Sequence, residues 1–285
     1  MTGVQTCALP ICDEKINDAR RPIKVVKETA VSALLDGGNN IGYVTCYHAA
    51  HKALEKAKAH GIACVGVYNT YYSGRNAYFV EQVVRQGYVC MHTASNKPRV
   101  APPGAAKAAL GTNPICFGFP SEEGPVTFDM GTAALMWGDV LLHAYTGEPL
   151  PEGVAIDADG RPTRDAKSAV KGAALPFGGA DYIYKGFGLS FSMQALGLLA
   201  GSAIMRDTPM DYGFLFWAVN PNIMLPADDF KPRMSQFLRD LKALPKQAGV
   251  KDIRIPSERA NKERERRRVE GLVVKRKVID SLKAL

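Results

Sequence analysis

Apolar and polar positions alternate in a strand-like way through "TAVSALLDGGNNIGYVTC" until Gly37 to Asn40, where turn residues interrupt the run and a helix is expected to begin. That helix is "YHAAHKALEKAKAHG": Ala50, Leu54 and Ala57 make one stripe, Lys and Glu the other, and Gly61 is the stop signal. A buried strand, "IACVGVY", follows. After it come a polar loop, the helix "NAYFVEQVVRQG" ending at Gly87, and the strand "YVCMHTAS". Strand, helix, strand, helix, strand is the alternation of an α/β layer.

Regularity then stops. "NKPRVAPPGAAKAALGTNP" is rich in proline and predicts a long ordered loop, a kind of segment that in compact enzymes is often functional. Two short strands, "ICFGFPS" and "PVTFDMG", are joined by the turn "EEG", and "VAIDADGRPT" predicts a hairpin or turn with Asp-Gly at its tip. "GFGLSFSMQALGLLAGSAIM" is apolar almost all round, which predicts a central buried helix. A strand, "GFLFWAVNP", and an amphipathic helix, "ADDFKPRMSQFLRDLKAL", come next, and "IRIPSERANKERERRRVEG" is expected to be a short strand and a last helix.

Composition narrows the class. With 285 residues and 46% hydrophobic positions the chain can bury a sizeable core. No run approaches a membrane span and the start lacks a secretion-signal layout, so a soluble cytoplasmic protein is expected. The net charge of +8 gathers at the end: residues 251–285 hold 12 Lys and Arg against 6 Asp and Glu. The two signs interleave there, which describes a solvated helix better than a nucleic-acid face. Six scattered cysteines (Cys7, Cys12, Cys46, Cys64, Cys90, Cys116) show no paired spacing for zinc or a redox dithiol, and the five histidines do not cluster in sequence. His48 and His51 could share a helix face but lack a third ligand, so no metal is expected. The first twelve residues, "MTGVQTCALPIC", look like translated sequencing-adapter sequence and are set aside as a non-native leader. The expected organisation is that leader at 1–12, a cofactor-binding and catalytic α/β domain at 13–225, and a C-terminal helical part at 226–285.

Candidate chemistry is sparse by motif. No Gly-rich dinucleotide fingerprint, phosphate loop, nucleophile elbow or paired-histidine zinc motif is present. "GGADYIYKGFGLSF" places Lys185 before a Gly-x-Gly that is expected to open the apolar helix, a setting for a phosphate or carboxylate; a lysine that merely covers a loop is the other reading. "ALGTNPICFGFP" offers a turn at Asn113, and "TFDMG" ends a strand with Asp129, whose carboxylate needs hydrogen-bonding partners if it is buried. "YNTYYSGRNAYFVEQ", at a strand-to-helix junction, holds three tyrosines and no histidine.

Taken in order, "ALLDGGNNIGYV", "YYSGRNAYFVEQ", "GTNPICFGFP", "TFDMGTAALMWG", "YKGFGLSFSMQALGLLAG", "FWAVNP" and "IPSERANKERERRRVEG" make the chain resemble the type-2 malate/L-lactate dehydrogenase family, from about Lys24 onward. That family includes sulfolactate and ureidoglycolate dehydrogenases and cyclic-imino-acid reductases. The resemblance implies a non-Rossmann α/β (α+β) fold on a largely antiparallel sheet flanked by helices, with a smaller helical domain partly missing at the N-terminus. It also implies NAD or NADP as cofactor and a homodimer.

Carried over by position, the resemblance puts cofactor contacts on Asn96, on Asp129, Met130 and Gly131, on Lys185, and on Ser257, Glu258, Arg259, Ala260, Asn261 and Lys262. Tyr72 stands where many relatives keep a histidine base, and it joins Lys185 as a catalytic candidate; Ser73, Gly74 and Asn113 are substrate candidates. A tyrosine, with an ordinary pKa near ~10, suits proton donation to a carbonyl or imine better than proton removal from an alcohol. The expected function is interconversion of a small 2-hydroxy acid and its 2-oxo acid by hydride transfer, with no nucleic-acid or membrane partner. A truncated, non-catalytic homologue that binds a dinucleotide or a partner subunit is the alternative, and a cyclic 2-imino acid reductase a further one.

Overall fold

The computed structural model describes residues 20–202, 212–274 and 276–283. Residues 1–12, expected to be a non-native leader, lie outside the described residues with Cys7 and Cys12, as does the end of the predicted apolar helix beyond Ser202. Among the described residues seven strands form the main sheet, in the order β1 (Lys24–Glu28), β2 (Ser32–Ile41), β3 (Ile62–Tyr71), β9 (Tyr212–Val219), β4 (Val89–Ser95), β5 (Ile115–Ser121) and β6 (Gly124–Met130). Only β2 and β3 are parallel neighbours, joined by α1 (Gly42–His60); every other neighbouring pair is antiparallel. The alternating pattern up to residue 95 did not reveal this, because β9 returns from late in the chain and inserts between β3 and β4. Its near-continuous apolar run, buried at all but two positions, fits a strand covered on both faces.

Helices cover the two faces differently. Alternate residues of β4 divide between them: Cys90 and Ala94 join the core formed with α1 and α2 (Ala77–Val84), while Met91 meets Met193 of α5 (Gly179–Leu199) on the other side. α5 buries one stripe only, at Gly186, Ser190, Met193 and Gly197. This corrects the expectation of a central buried helix. Phe191 and Leu199 are 61% and 64% exposed, so the apolar outer face of α5 is open in the single chain. The small residues on the stripe are needed for close approach: a Cβ on Gly197 would lie 2.1 Å from Ser95 Oγ, and one on Gly186 would lie 2.2 Å from the Phe177 carbonyl.

Three local expectations also change. β2 continues through Gly37 to Asn40 with an irregular register instead of turning there, and α1 starts at Gly42. The amphipathic helix forms as α6 (Phe230–Ala243), residues 253–255 form no strand, and α7 (Glu258–Glu270) is followed by a further helix, α8 (Arg276–Lys283). The Asp-Gly turn does form, with the Asp157 and Arg161 backbones closing it and Gly160 at φ 81°. Beside it, α3 (Trp137–Thr146), α4 (Ala166–Lys171) and the two-residue strands β7 (Ala155–Ile156) and β8 (Ala173–Ala174) enclose a small satellite core around Trp137, Val140 and Leu150. No helix among the described residues is long and apolar enough to cross a membrane.

Candidate active site

Because β3, β4 and β6 point the same way, their C-terminal ends share one edge of the sheet, next to the starts of β5 and β9. A cavity of about 280 Å³ opens there. Tyr72, Ser73 and Gly74 reach it from the end of β3, Asn96 from β4, and Asp129, Met130 and Gly131 from β6. Seven of the residues singled out in the sequence therefore meet in one place. Thr112, Tyr212, Arg99, Met136, Trp137 and Asp139 complete much of the wall.

Tyr72 is half-buried and has φ 37°, a left-handed backbone that an aromatic residue rarely adopts. The distortion is held by packing. Tyr43, in the first turn of α1, meets the Tyr72 ring edge-on at 6.2 Å, and Gly74, with φ 70°, leaves room for the Tyr43 hydroxyl where a Cβ would come within 2.5 Å. Ser73 Oγ donates to Asn76 Oδ1 at 2.8 Å, closing the loop onto α2. Backbone strain of this kind persists where the surroundings over-determine it, commonly at functional sites.

Asp129 is fixed from the opposite side. Its Oδ2 accepts from the Ala77 amide at 2.8 Å, at the start of α2, where free N–H groups favour a carboxylate. The cleft walls crowd that carboxyl although part of the residue stays open to solvent, and this desolvation raises its pKa above the ordinary value against the pull of the Ala77 amide and Arg75. Burial raises the Asp139 carboxyl in the same way, opposed by His143. Asn96 is set by Thr112, whose amide donates to Oδ1 at 3.1 Å while Asn96 Nδ2 donates to the Thr112 hydroxyl at 3.2 Å.

Other predicted residues lie elsewhere. Asn113 is fully buried, with Nδ2 donating to the Ser190 carbonyl and to Gln194 Oε1, both at 3.0 Å, so it fastens α5 to the sheet behind the cleft and does not line it. Lys185 does not precede its helix; it lies inside α5, just past a kink at Tyr182, with its exposed ammonium 4.9 Å from the Tyr182 ring centre and off the cavity wall. Ser257, at φ 65°, docks the start of α7 on β6, its Oγ accepting from the Thr127 amide at 3.2 Å. Glu258 pairs with Lys242 and Lys262, which hold its carboxyl down at about 2. Glu258, Arg259 and Lys262 line a separate surface cavity of about 510 Å³. Ala260 and Asn261 line neither of these cavities.

Thr112, Tyr212, Met136, Asp139, Arg99 and Trp137 are wall residues that the sequence did not single out. Arg99 lies within the proline-rich loop already marked as a functional candidate, but nothing in that loop's pattern separates it from its neighbours. Among the described residues, no three His, Cys, Asp or Glu side chains converge as metal ligands. The donor set does fit the ribose and nicotinamide end of a dinucleotide: a carboxylate, a carboxamide and the close backbone at Met130 and Gly131. The cavity is smaller than a whole dinucleotide, so the remainder would run out along the surface.

The sheet is mostly antiparallel, and its polar cleft lies at the joint ends of β3, β4 and β6 with no Gly-rich nucleotide turn beside it. The malate/L-lactate dehydrogenase family model matches residues 7–283, and the chain belongs to that family. It is 35% identical over 269 residues to an L-sulfolactate dehydrogenase of Methanothermobacter thermautotrophicus, covering 91% of this chain and 76% of that protein. It is 34% identical to a Delta(1)-pyrroline-2-carboxylate/Delta(1)-piperideine-2-carboxylate reductase of Pseudomonas putida over 243 residues, covering 81% and 68%. The solved sulfolactate dehydrogenase of Methanocaldococcus jannaschii superimposes with a TM-score of 0.81 at 30% identity, covering 99% of this chain and 81% of that one.

Proposed function

We propose that the protein is an NAD(P)-dependent oxidoreductase that interconverts a small 2-hydroxy acid and its 2-oxo acid. The observation that carries this reading is the convergence of Tyr72, Asn96 and Asp129 on one cleft in a chain of this family. When bound, the nicotinamide supplies the hydride chemistry. The chain's own part is orientation and proton supply. Asp129 and Asn96 are held by Ala77 and Thr112, so their oxygens are set to receive ribose hydroxyls without rearrangement. Met130, Met136 and Trp137 keep water from the reacting carbon. Tyr72 donates its phenolic proton to the substrate oxygen during reduction and recovers it from solvent, to which it remains partly open.

The same phenol can protonate an imine nitrogen, and the Pseudomonas putida relative supports cyclic 2-imino acid reduction as a second reading. Lys185 and the Ser257 to Lys262 turn lie outside the cleft, and their cofactor role rests on the resemblance alone. The open apolar face of α5 supports a homodimer, which we infer to be a soluble cytoplasmic enzyme. The test of the cofactor site is fluorescence titration of NADH and NADPH. Asp129→Asn is expected to weaken the preferred cofactor about tenfold, as loss of a charged hydrogen-bond acceptor does; unchanged affinity removes Asp129 from the site.

A further inference from the structure

Arg99 stands on the cavity wall with its guanidinium carbon 4.4 Å from the centre of the Trp137 ring. Among the described residues no carboxylate, carbonyl or hydroxyl oxygen hydrogen-bonds its side chain, and neither Asp129 nor Asp139, which line the same cavity, forms an ion pair with it. Asp129 is held by the Ala77 amide, and Asp139 sits in the first turn of α3, where a negative charge is favoured by the helix. Trp137 is itself 8% exposed, and its indole Nε1, also a donor, is buried with no acceptor among the described residues. Of these two groups only the Arg99 guanidinium is open to the cavity, since the Trp137 indole nitrogen is buried behind the ring and Trp137 serves as the aromatic wall under the arginine. An arginine presents five N–H groups in a fixed fork that matches an oxyanion, and an aromatic face behind it holds the plane in place.

We propose that Arg99, backed by Trp137, is a specificity-determining residue that receives a second anionic group of the substrate, so that the cleft selects dianionic over monoanionic 2-oxo and 2-hydroxy acids. This rests on reading the cleft as the 2-hydroxy acid site. The cofactor's phosphates carry the same oxyanion chemistry, and the experiment separates the two sources.

Malonate and acetate are titrated calorimetrically into the unsubstituted protein, Arg99→Met, which keeps the stem over Trp137 without the charge, and Arg99→Lys; NADH and NADPH are titrated in parallel. The expected result is malonate affinity lower by tenfold or more in Arg99→Met, partial recovery in Arg99→Lys, and unchanged acetate and cofactor affinities. Absent malonate binding in the wild type, or equal malonate affinity in Arg99→Met, overturns the proposal. A loss that falls on NADH or NADPH overturns it too and assigns Arg99 to a cofactor phosphate. Turnover separates the proposal from its foundation: selective malonate binding with no turnover of any 2-oxo acid keeps the anion site and removes the oxidoreductase reading. Turnover of oxaloacetate and pyruvate lowered equally in Arg99→Met keeps that reading and removes the anion site. Near-ultraviolet circular dichroism confirms that the variants keep the native packing.

Discussion

Glu81 accepts two hydrogen bonds from the guanidinium of Arg264, at 2.8 and 3.0 Å, across 183 positions of sequence. Arg75 adds a third at 2.9 Å. Burial alone would raise the Glu81 carboxyl, but the two arginines outweigh it and hold it below the ordinary value. The pair fastens α7 to α2, and α2 is the helix whose first amide holds Asp129. One short helix thus links the C-terminal segment to the cleft.

Because Glu81 is buried, removal of one partner leaves a charge short of compensation. Arg264→Met is expected to destabilise by about 2–4 kcal/mol, less than the full cost of an orphaned buried charge because Arg75 remains. In a cycle with Glu81→Gln, urea denaturation is expected to give a coupling of about 1–3 kcal/mol. Simple additivity would show that the contact does not join the two helices energetically.

Tyr72→Phe keeps the ring against Tyr43 and removes only the hydroxyl. If the phenol supplies the proton, kcat should fall by roughly 10²–10⁴. Cofactor affinity should not change. Retention of turnover would move proton supply to another group.

His92 is buried between β9 and α2, stacked on Phe216 at 3.9 Å with Nδ1 bonded to the Leu215 carbonyl at 3.2 Å. Desolvation pushes its pKa from 6.5 down to about 3, against the Leu215 bond, so it stays neutral in the fold. Between those values the unfolded chain binds the extra proton and the folded one does not. Stability is therefore fully present above about 6.5 and falls as the pH drops toward 3, by about 1.4 kcal/mol per unit at most. Urea midpoints measured from pH 7 to pH 5 should decline in the wild type and flatten in His92→Gln; parallel declines would assign the dependence to other groups. Glu81, whose pKa is lowered, acts only in the acid range below its ordinary value of 4.5.

Strands and helices close to the cleft were legible because their periods are clean: α1, α2, β3, β4, β5 and β6 lie where the pattern of apolar residues puts them. Their order in the sheet was not, since β9 pairs with β3 and β4 through contacts more than a hundred positions apart, which no local period records. The apolar surround of α5 misled for a physical reason. A face left open on one chain has the same composition as a buried one, and Phe191 and Leu199 look alike in sequence whichever applies. Within the site, Asp129 was readable as a strand-end carboxylate needing a donor, which Ala77 provides. Arg99 was not readable, because its significance comes from Trp137, brought to it by a satellite core 38 positions away.

The most direct measurement follows NAD(P)H absorbance with the purified protein and a panel of 2-oxo acids beside cyclic 2-imino acids. Oxidation of NADH or NADPH dependent on a 2-oxo acid, with formation of the matching 2-hydroxy acid, is the predicted result. Oxidation with cyclic imines alone would replace the 2-oxo acid reading by the imine reductase, and no oxidation with any of them would contradict the account.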